Sequence, residues 1–286
     1  MKLLIFSLSL LLNTSVVFAN IRSQRLQDTS KPFVIGKVEN LYSRVLGENR
    51  VLNIYLPEGY NPADTVHYPV IYLLDGSADE DFIHIVGLVQ FCSFEWVNQL
   101  PKSIVVGIAN VDRRRDYTFA TTVQREKLAN PTSGHSDNFI SFLETELLPH
   151  IAGKYKVSGS RTIIGESLGG LLATEILLKK PALFSKYIIV SPSLWWDGGS
   201  LLNLPSQTCT PAFNRQTDIY IGVGKEGLTP TDPPRVMEVD ANVLAGKLSA
   251  ARNSSLNIRF DYLPAENHAT IMHQAVLNAF RLLSKN

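Results

Sequence analysis

The chain has 286 residues, 45% of them hydrophobic and 19% charged, which is enough apolar length for one large core. Its 27 Lys and Arg nearly cancel its 26 Asp and Glu, so no overall field draws it to nucleic acid or to an anionic membrane.

Residues 1–19 open with Lys2, run through an apolar stretch from Leu3 to Leu12 and close on Val17-Phe18-Ala19, the pattern of a cleaved secretory signal. The expected domains are therefore a signal peptide, 1–19, and a single mature domain, 20–286, located in the periplasm or outside the cell. The apolar run is short for a membrane span and no later segment is long and uncharged enough, so no stable membrane insertion is expected. No Cys follows Ala19 to carry a lipid. Cys92 and Cys209 are the only cysteines. Export permits a disulfide between them, while the apolar setting of Cys92 favours buried free thiols.

The mature part alternates strands and helices. Val51 to Leu56 alternates as a strand, and Tyr68 to Leu74 and Ser103 to Ala109 are near-continuous apolar strands suited to a sheet covered on both faces. Ser136 caps a helix whose apolar positions Phe139, Ile140, Leu143, Leu147 and Ile151 recur at helical spacing, with Pro149 expected to kink or end it. Further strands fall at Arg161 to Gly165, Lys186 to Val190, Asp218 to Val223 and Leu256 to Tyr262. Helices are expected after the first of these and over about 235–250 and 270–283. Short connections between them imply a mostly parallel, doubly wound sheet flanked by helices, with ligands bound beyond the C-terminal strand ends.

Gly165-Glu166-Ser167-Leu168-Gly169 stands where a β-branched strand turns into an apolar helix, the context a nucleophile elbow requires. Ser167 is the candidate nucleophile, with Gly165 and Gly169 small because strand and helix backbones approach there. The Leu168 amide, at the helix start, is a candidate oxyanion donor. In this architecture the acid and then the base follow the serine. Only His268 and His273 lie downstream of Ser167; His268 sits in a polar turn between strand and helix, and His273 falls inside the last helix. His268 is thus the candidate general base. After the strand ending near Val223 come Glu226, favoured as the acid, and Asp232, with a Ser-His dyad also open. The loop after Leu74 offers the Ser77 amide as second oxyanion donor. No Cys-x-x-Cys or His/Cys cluster suggests a metal, and no cofactor is expected.

Leu73 to Gly76, Val106 to Thr118, Ile164 to Gly170, Ser191 to Trp196 and Glu266 to His268 together resemble the putative-esterase family of α/β-hydrolases, which includes siderophore esterases, feruloyl esterases and S-formylglutathione hydrolases. The resemblance implies the α/β-hydrolase fold and a serine esterase acting on a small-molecule ester, with siderophore-type lactones the most specific substrate. It also implies an arginine near 113–115 against an anionic catecholate. Arg113 and Arg115 are therefore candidate substrate contacts, with Trp195 and Trp196 as an aromatic wall. Glu166, where many relatives carry His, is expected to point away from the substrate and is assigned no catalytic role. Acyl transfer to an alcohol uses the same residues, and a non-catalytic binding protein is the alternative of another class. Nothing in the sequence sets the oligomeric state.

Overall fold

The computed structural model describes residues 30–210 and 212–283, so the expected signal peptide, 1–19, lies outside the described residues. The chain divides into two units, residues 1–34 and 35–286, and all the elements below belong to the second.

Eight strands form one sheet: β1 (Lys37–Ser43), β2 (Glu48–Tyr55), β3 (Tyr68–Leu73), β4 (Ile104–Ile108), β5 (Val157–Glu166), β6 (Lys186–Val190), β7 (Thr217–Gly224) and β8 (Leu256–Leu263). Their order across the sheet is β1-β2-β4-β3-β5-β6-β7-β8. β2 runs antiparallel to both of its neighbours, and every other pair is parallel. This is the mostly parallel, doubly wound sheet that the apolar runs imply.

The helices are α1 (Phe82–Cys92), α2 (Arg113–Tyr117), α3 (Gln124–Ala129), α4 (Ser136–Phe142), α5 (Leu148–Lys154), α6 (Leu168–Lys179), α7 (Met237–Ala250) and α8 (Ile271–Leu283). One face of the sheet, with Tyr72, Val106, Ile163 and Ile189, packs in a core with α4, α5, α6 and α7. The other, with Ile71, Leu73, Ile164 and Ile188, packs against α1 and α8. Both faces of β3 to β6 are thereby dry, and each buried aliphatic side chain contributes about 1.5–3 kcal/mol.

Three local expectations are revised. Ser136 does not cap α4: His135 holds that position and Ser136 is the first helical residue. Pro149 does not end the helix either, because a π segment, Leu143–Leu147, joins α4 to α5 and widens the ladder just before the proline. β1 and α1 were not anticipated. Every residue of β1 except Ser43 is at least partly exposed, and α1 carries apolar Ile83 and Phe91 on its exposed side beside the buried stripe of Phe82, Ile85, Val86, Val89 and Cys92, so neither shows a clean amphipathic period. Cys92 and Cys209 are both free, the first buried and the second half-buried.

Candidate active site

β5 delivers Ser167 at the C-terminal edge of the sheet, and α6 begins one residue later. Ser167 has φ 58° and ψ −116°, a conformation that a non-glycine residue holds only when its surroundings impose it. Those surroundings are close. A Cβ at Gly165 would lie 2.4 Å from the Gly169 carbonyl oxygen, and one at Gly170 would lie 2.8 Å from that of Val190. At Gly169 the nearest atom is the Asp75 carboxylate at 3.3 Å, a milder approach. The tight contacts thus fall at Gly165 and Gly170, while Gly169 is less constrained than the Gly-x-Ser-x-Gly pattern suggests.

His268 occupies the turn between β8 and α8. Its Nε2 is 3.1 Å from Ser167 Oγ, and its Nδ1 is 2.8 Å from Glu226 Oε2. Glu226 follows β7, as the topology requires for an acid, and its other oxygen accepts from Ser191 Oγ and, at 3.3 Å, from the Gly224 amide. Burial works against ionisation of Glu226, but the bonds from His268 and Ser191 outweigh it and hold its pKa below the usual carboxylate range. The Glu226 hydrogen bond in turn raises the pKa of His268, against the opposing effect of burial. The loops carrying these two residues are tied by Lys225 N donating to Glu266 O at 2.8 Å. Asp232, the other candidate acid, is exposed and lines a different cavity, beside Arg125 and Pro230.

Ser167, Leu168 and Ser193 open onto a cavity of about 620 Å³ whose far wall is Arg114, Thr132 and Trp195. The three arginines diverge. Arg113 reaches the cavity edge, but its Nε and Nη2 donate to the two carboxylate oxygens of Asp75 at 2.7 and 2.9 Å, and Nη2 also meets the Glu166 carbonyl at 3.2 Å. Arg115 is turned from the cavity, with Nε on Asp116 at 2.8 Å and Nη2 on Glu48 at 2.6 Å. Buried Arg50 completes that network, 2.7 Å from the same Asp116. Arg114 is exposed on the cavity wall, with no ion pair among the described residues. Both tryptophans line the cavity, Trp195 half-buried and Trp196 2% exposed with its indole N–H on the Phe119 carbonyl at 2.8 Å.

The sequence of the chain matches the family profile described as Putative esterase over residues 43–270. The chain belongs to that family. Among curated proteins it is 28% identical over 270 residues to the ferri-bacillibactin esterase BesA of Bacillus subtilis, covering 88% of this chain and 91% of that one. An IroE-like serine hydrolase from Shewanella oneidensis superimposes with a TM-score of 0.78 at 33% identity, over 87% of this chain and 80% of the other. The BES protein of Bacillus cereus gives a TM-score of 0.75 at 26% identity, over 91% and 99%. The fold is accordingly that of the α/β-hydrolases, and the chain is an enzyme acting on ester bonds.

Within this esterase several supporting residues escaped the sequence reading. Ser191 holds Glu226, Ser193 Oγ lies 3.3 Å from Ser167 Oγ, and Ser193 N donates to the Ser167 carbonyl at 2.9 Å. Both serines directly follow β6, where the strand-end rule points, but no spacing links them to Ser167. Glu238, in the first turn of α7, accepts from the Glu226 and Gly227 amides at 2.9 and 3.1 Å. It steadies the acid loop from twelve residues away. Asp75, in the loop after β3, has φ 52° and anchors Arg113. Among the described residues no helix is long and apolar enough to cross a membrane.

Proposed function

We propose that the chain is an exported serine esterase that cleaves a carboxylic ester through an acyl-Ser167 intermediate, with a siderophore-type lactone as its substrate. The observation that carries the reading is the continuous line Ser167 Oγ, His268 Nε2, His268 Nδ1, Glu226 Oε2, with steps of 3.1 and 2.8 Å.

Neutral His268 takes the Ser167 proton as Oγ attacks the ester carbonyl, and Glu226 stabilises the imidazolium and fixes its tautomer. The oxyanion forms beside the Leu168 amide, with the dipole of α6 behind it. The Gly76 amide donates to Ile108 O at 3.0 Å, which leaves the Ser77 amide as the second donor from the loop after β3. His268 returns its proton to the leaving alcohol. Water, activated by the same imidazole, then releases the acid from Ser167.

The substrate assignment draws on BesA, whose name records a ferric siderophore ester, and on the cavity wall. Arg114 presents an unpaired guanidinium to an anionic aryl group and Trp195 presents an aromatic surface to it. Beyond Trp195 and Asn130 a second cavity of about 450 Å³, lined by Val123, Ala129 and Pro233, gives room for another arm of the same molecule. Export rests on residues 1–19; sequencing the mature N-terminus is expected to return Asn20.

The test is hydrolysis of p-nitrophenyl acetate and butyrate by wild type and Ser167→Ala, with fluorophosphonate labelling mapped by mass spectrometry, followed by a catecholate trilactone. Turnover and labelling at Ser167 that vanish in the variant are expected. A folded wild type that does neither would reverse the reading.

A further inference from the structure

Glu166, next to the nucleophile in the chain, is a carboxyl that the triad does not use. It ends β5 two residues beyond Ile164, which packs in the core with α1 and α8, so it projects toward that layer and away from the cavity. Oε1 of Glu166 is inaccessible to water and has no hydrogen-bond partner. A buried carboxylate oxygen without a donor costs free energy, and an unsatisfied group beside a reacting centre calls for an explanation.

The charged groups around it come from five segments. His268 in the turn before α8 attracts its anion; Asp81 before α1, Asp75 after β3 and Glu226 after β7 repel it. Arg113 of α2 attracts it as well, but its hydrogen bonds go to the Glu166 backbone carbonyl and to Asp75, which already claims the guanidinium. Charge on Glu166 is thus poorly supported while His268 is neutral and better supported once His268 is an imidazolium. Imidazolium is what forms as Ser167 attacks. An interaction that is weak in the ground state and strong in the transition state accelerates the step.

We propose that Glu166 is a positioning residue acting through His268: its carboxylate, one oxygen of which is buried without a donor, favours the imidazolium formed during attack and ties turnover to its own ionisation. The proposal rests on the serine mechanism above. No proton passes to Glu166; the Ser167 proton moves to His268 and on to the leaving alcohol as before. Burial together with the neighbouring carboxylates pushes the pKa of Glu166 up to about 7.

The experiment is kcat/KM for p-nitrophenyl acetate from pH 5.5 to 9 in wild type and Glu166→Gln, with fluorophosphonate labelling of both. Neutral glutamine withdraws support from the imidazolium, so the variant's acidic limb moves to lower pH and its alkaline plateau falls. The ratio of wild type to variant therefore climbs with pH, from near unity or below at pH 6 to as much as about tenfold at pH 8.5, the effect of one pKa unit of coupling. A ratio that stays constant across pH, as a purely structural role gives, or that falls with pH, overturns the proposal while labelling of Ser167 leaves the serine mechanism standing. Wild type that does not label overturns both. Should Glu166→Gln not fold, Glu166→Asp keeps the charge at a different reach, and the same climb with smaller amplitude is expected.

Discussion

In the corner made by Ser167, His268 and Glu226 the hydrogen bonds lead toward the cavity, whereas in the run Arg113 to Arg115 they lead away from it. Members of the first cluster bond to one another, to Ser191 and Ser193 and to the Gly224 amide, and Ser167 opens onto the cavity. In the second, Asp75 takes Arg113, Asp116 and Glu48 take Arg115, and only Arg114 is left at the wall. The difference is where the countercharge sits. Asp75 is 8% exposed and Asp116 1%, and a carboxylate that far from water claims the nearest guanidinium before any ligand can. Of three adjacent arginines, two are thus held by carboxylates and one faces the cavity without an ion pair among the described residues.

The contrast can be broken most severely at the acid. Glu226→Ala is expected to lower kcat about 10³- to 10⁴-fold by removing the partner that orients and charges His268, with the acidic limb of the residual activity moved to lower pH because the group that raised the imidazole is gone. Asp232→Ala should stay within about twofold of wild type. Steady-state kinetics over pH decides between them, and the opposite ranking would sink the assignment of Glu226.

The arginines provide the next largest effects and the sharpest form of the comparison. Arg113→Ala strands Asp75 and frees the loop that carries Ser77, so a loss of about 2–3 kcal/mol in stability and about tenfold in kcat is expected. Arg115→Ala costs about 1–2 kcal/mol, since Arg50 still meets Asp116, and leaves kcat unchanged. Arg114→Ala keeps its Tm and raises KM about tenfold for an anionic aryl ester, with no change for p-nitrophenyl acetate. Denaturant melts beside kinetics on the two substrates separate the three. Equal KM effects at Arg113 and Arg114 would dissolve the distinction drawn here.

Smaller effects are expected in the scaffold beneath the triad. Gly170→Ala should cost about 1–3 kcal/mol through its contact with the Val190 carbonyl and Pro192, and more than Gly169→Ala, as thermal melts of the two would show. The smallest lies far from both clusters, at Glu39 on β1. Burial opposes its ionisation, but bonds from Lys154, Tyr155 and Lys37 outweigh it and hold its pKa down at about 2. A depressed carboxylate contributes its stability above the unfolded carboxylate pKa and loses it as pH falls toward 2. Glu39→Gln should therefore lower stability by under about 1 kcal/mol at pH 7, given solvent screening, with the difference from wild type vanishing near pH 2.

Much of this was legible in the residues themselves. β3, β4 and β6 announce themselves as apolar runs, and the strand, Gly165-Glu-Ser-Leu-Gly169 and helix sequence places the elbow because all of its parts are adjacent in the chain. Chain order then narrowed the base to His268 and His273, the polar turn after a strand favoured His268, 101 residues on, and the strand-end rule narrowed the acid to two candidates. β1 was missed because its pairing with β2, and not its own pattern, makes it a strand. That the indole N–H of Trp196 is taken by Phe119, 77 residues away, is likewise invisible in the sequence.

What the sequence determined by itself is whatever depends on neighbours along the chain: the periodicities, the elbow, and the supply of serine, histidine and carboxylate after successive strands. What only the tertiary structure decided is which polar groups are already satisfied. Arg113 and Asp75 are 38 residues apart, Arg115 and Glu48 67, and Glu226 and Ser191 35. Electrostatic partnership falls off with distance in space and is strongest where water is excluded, and neither distance nor exclusion is set until the sheet has brought these loops to one edge.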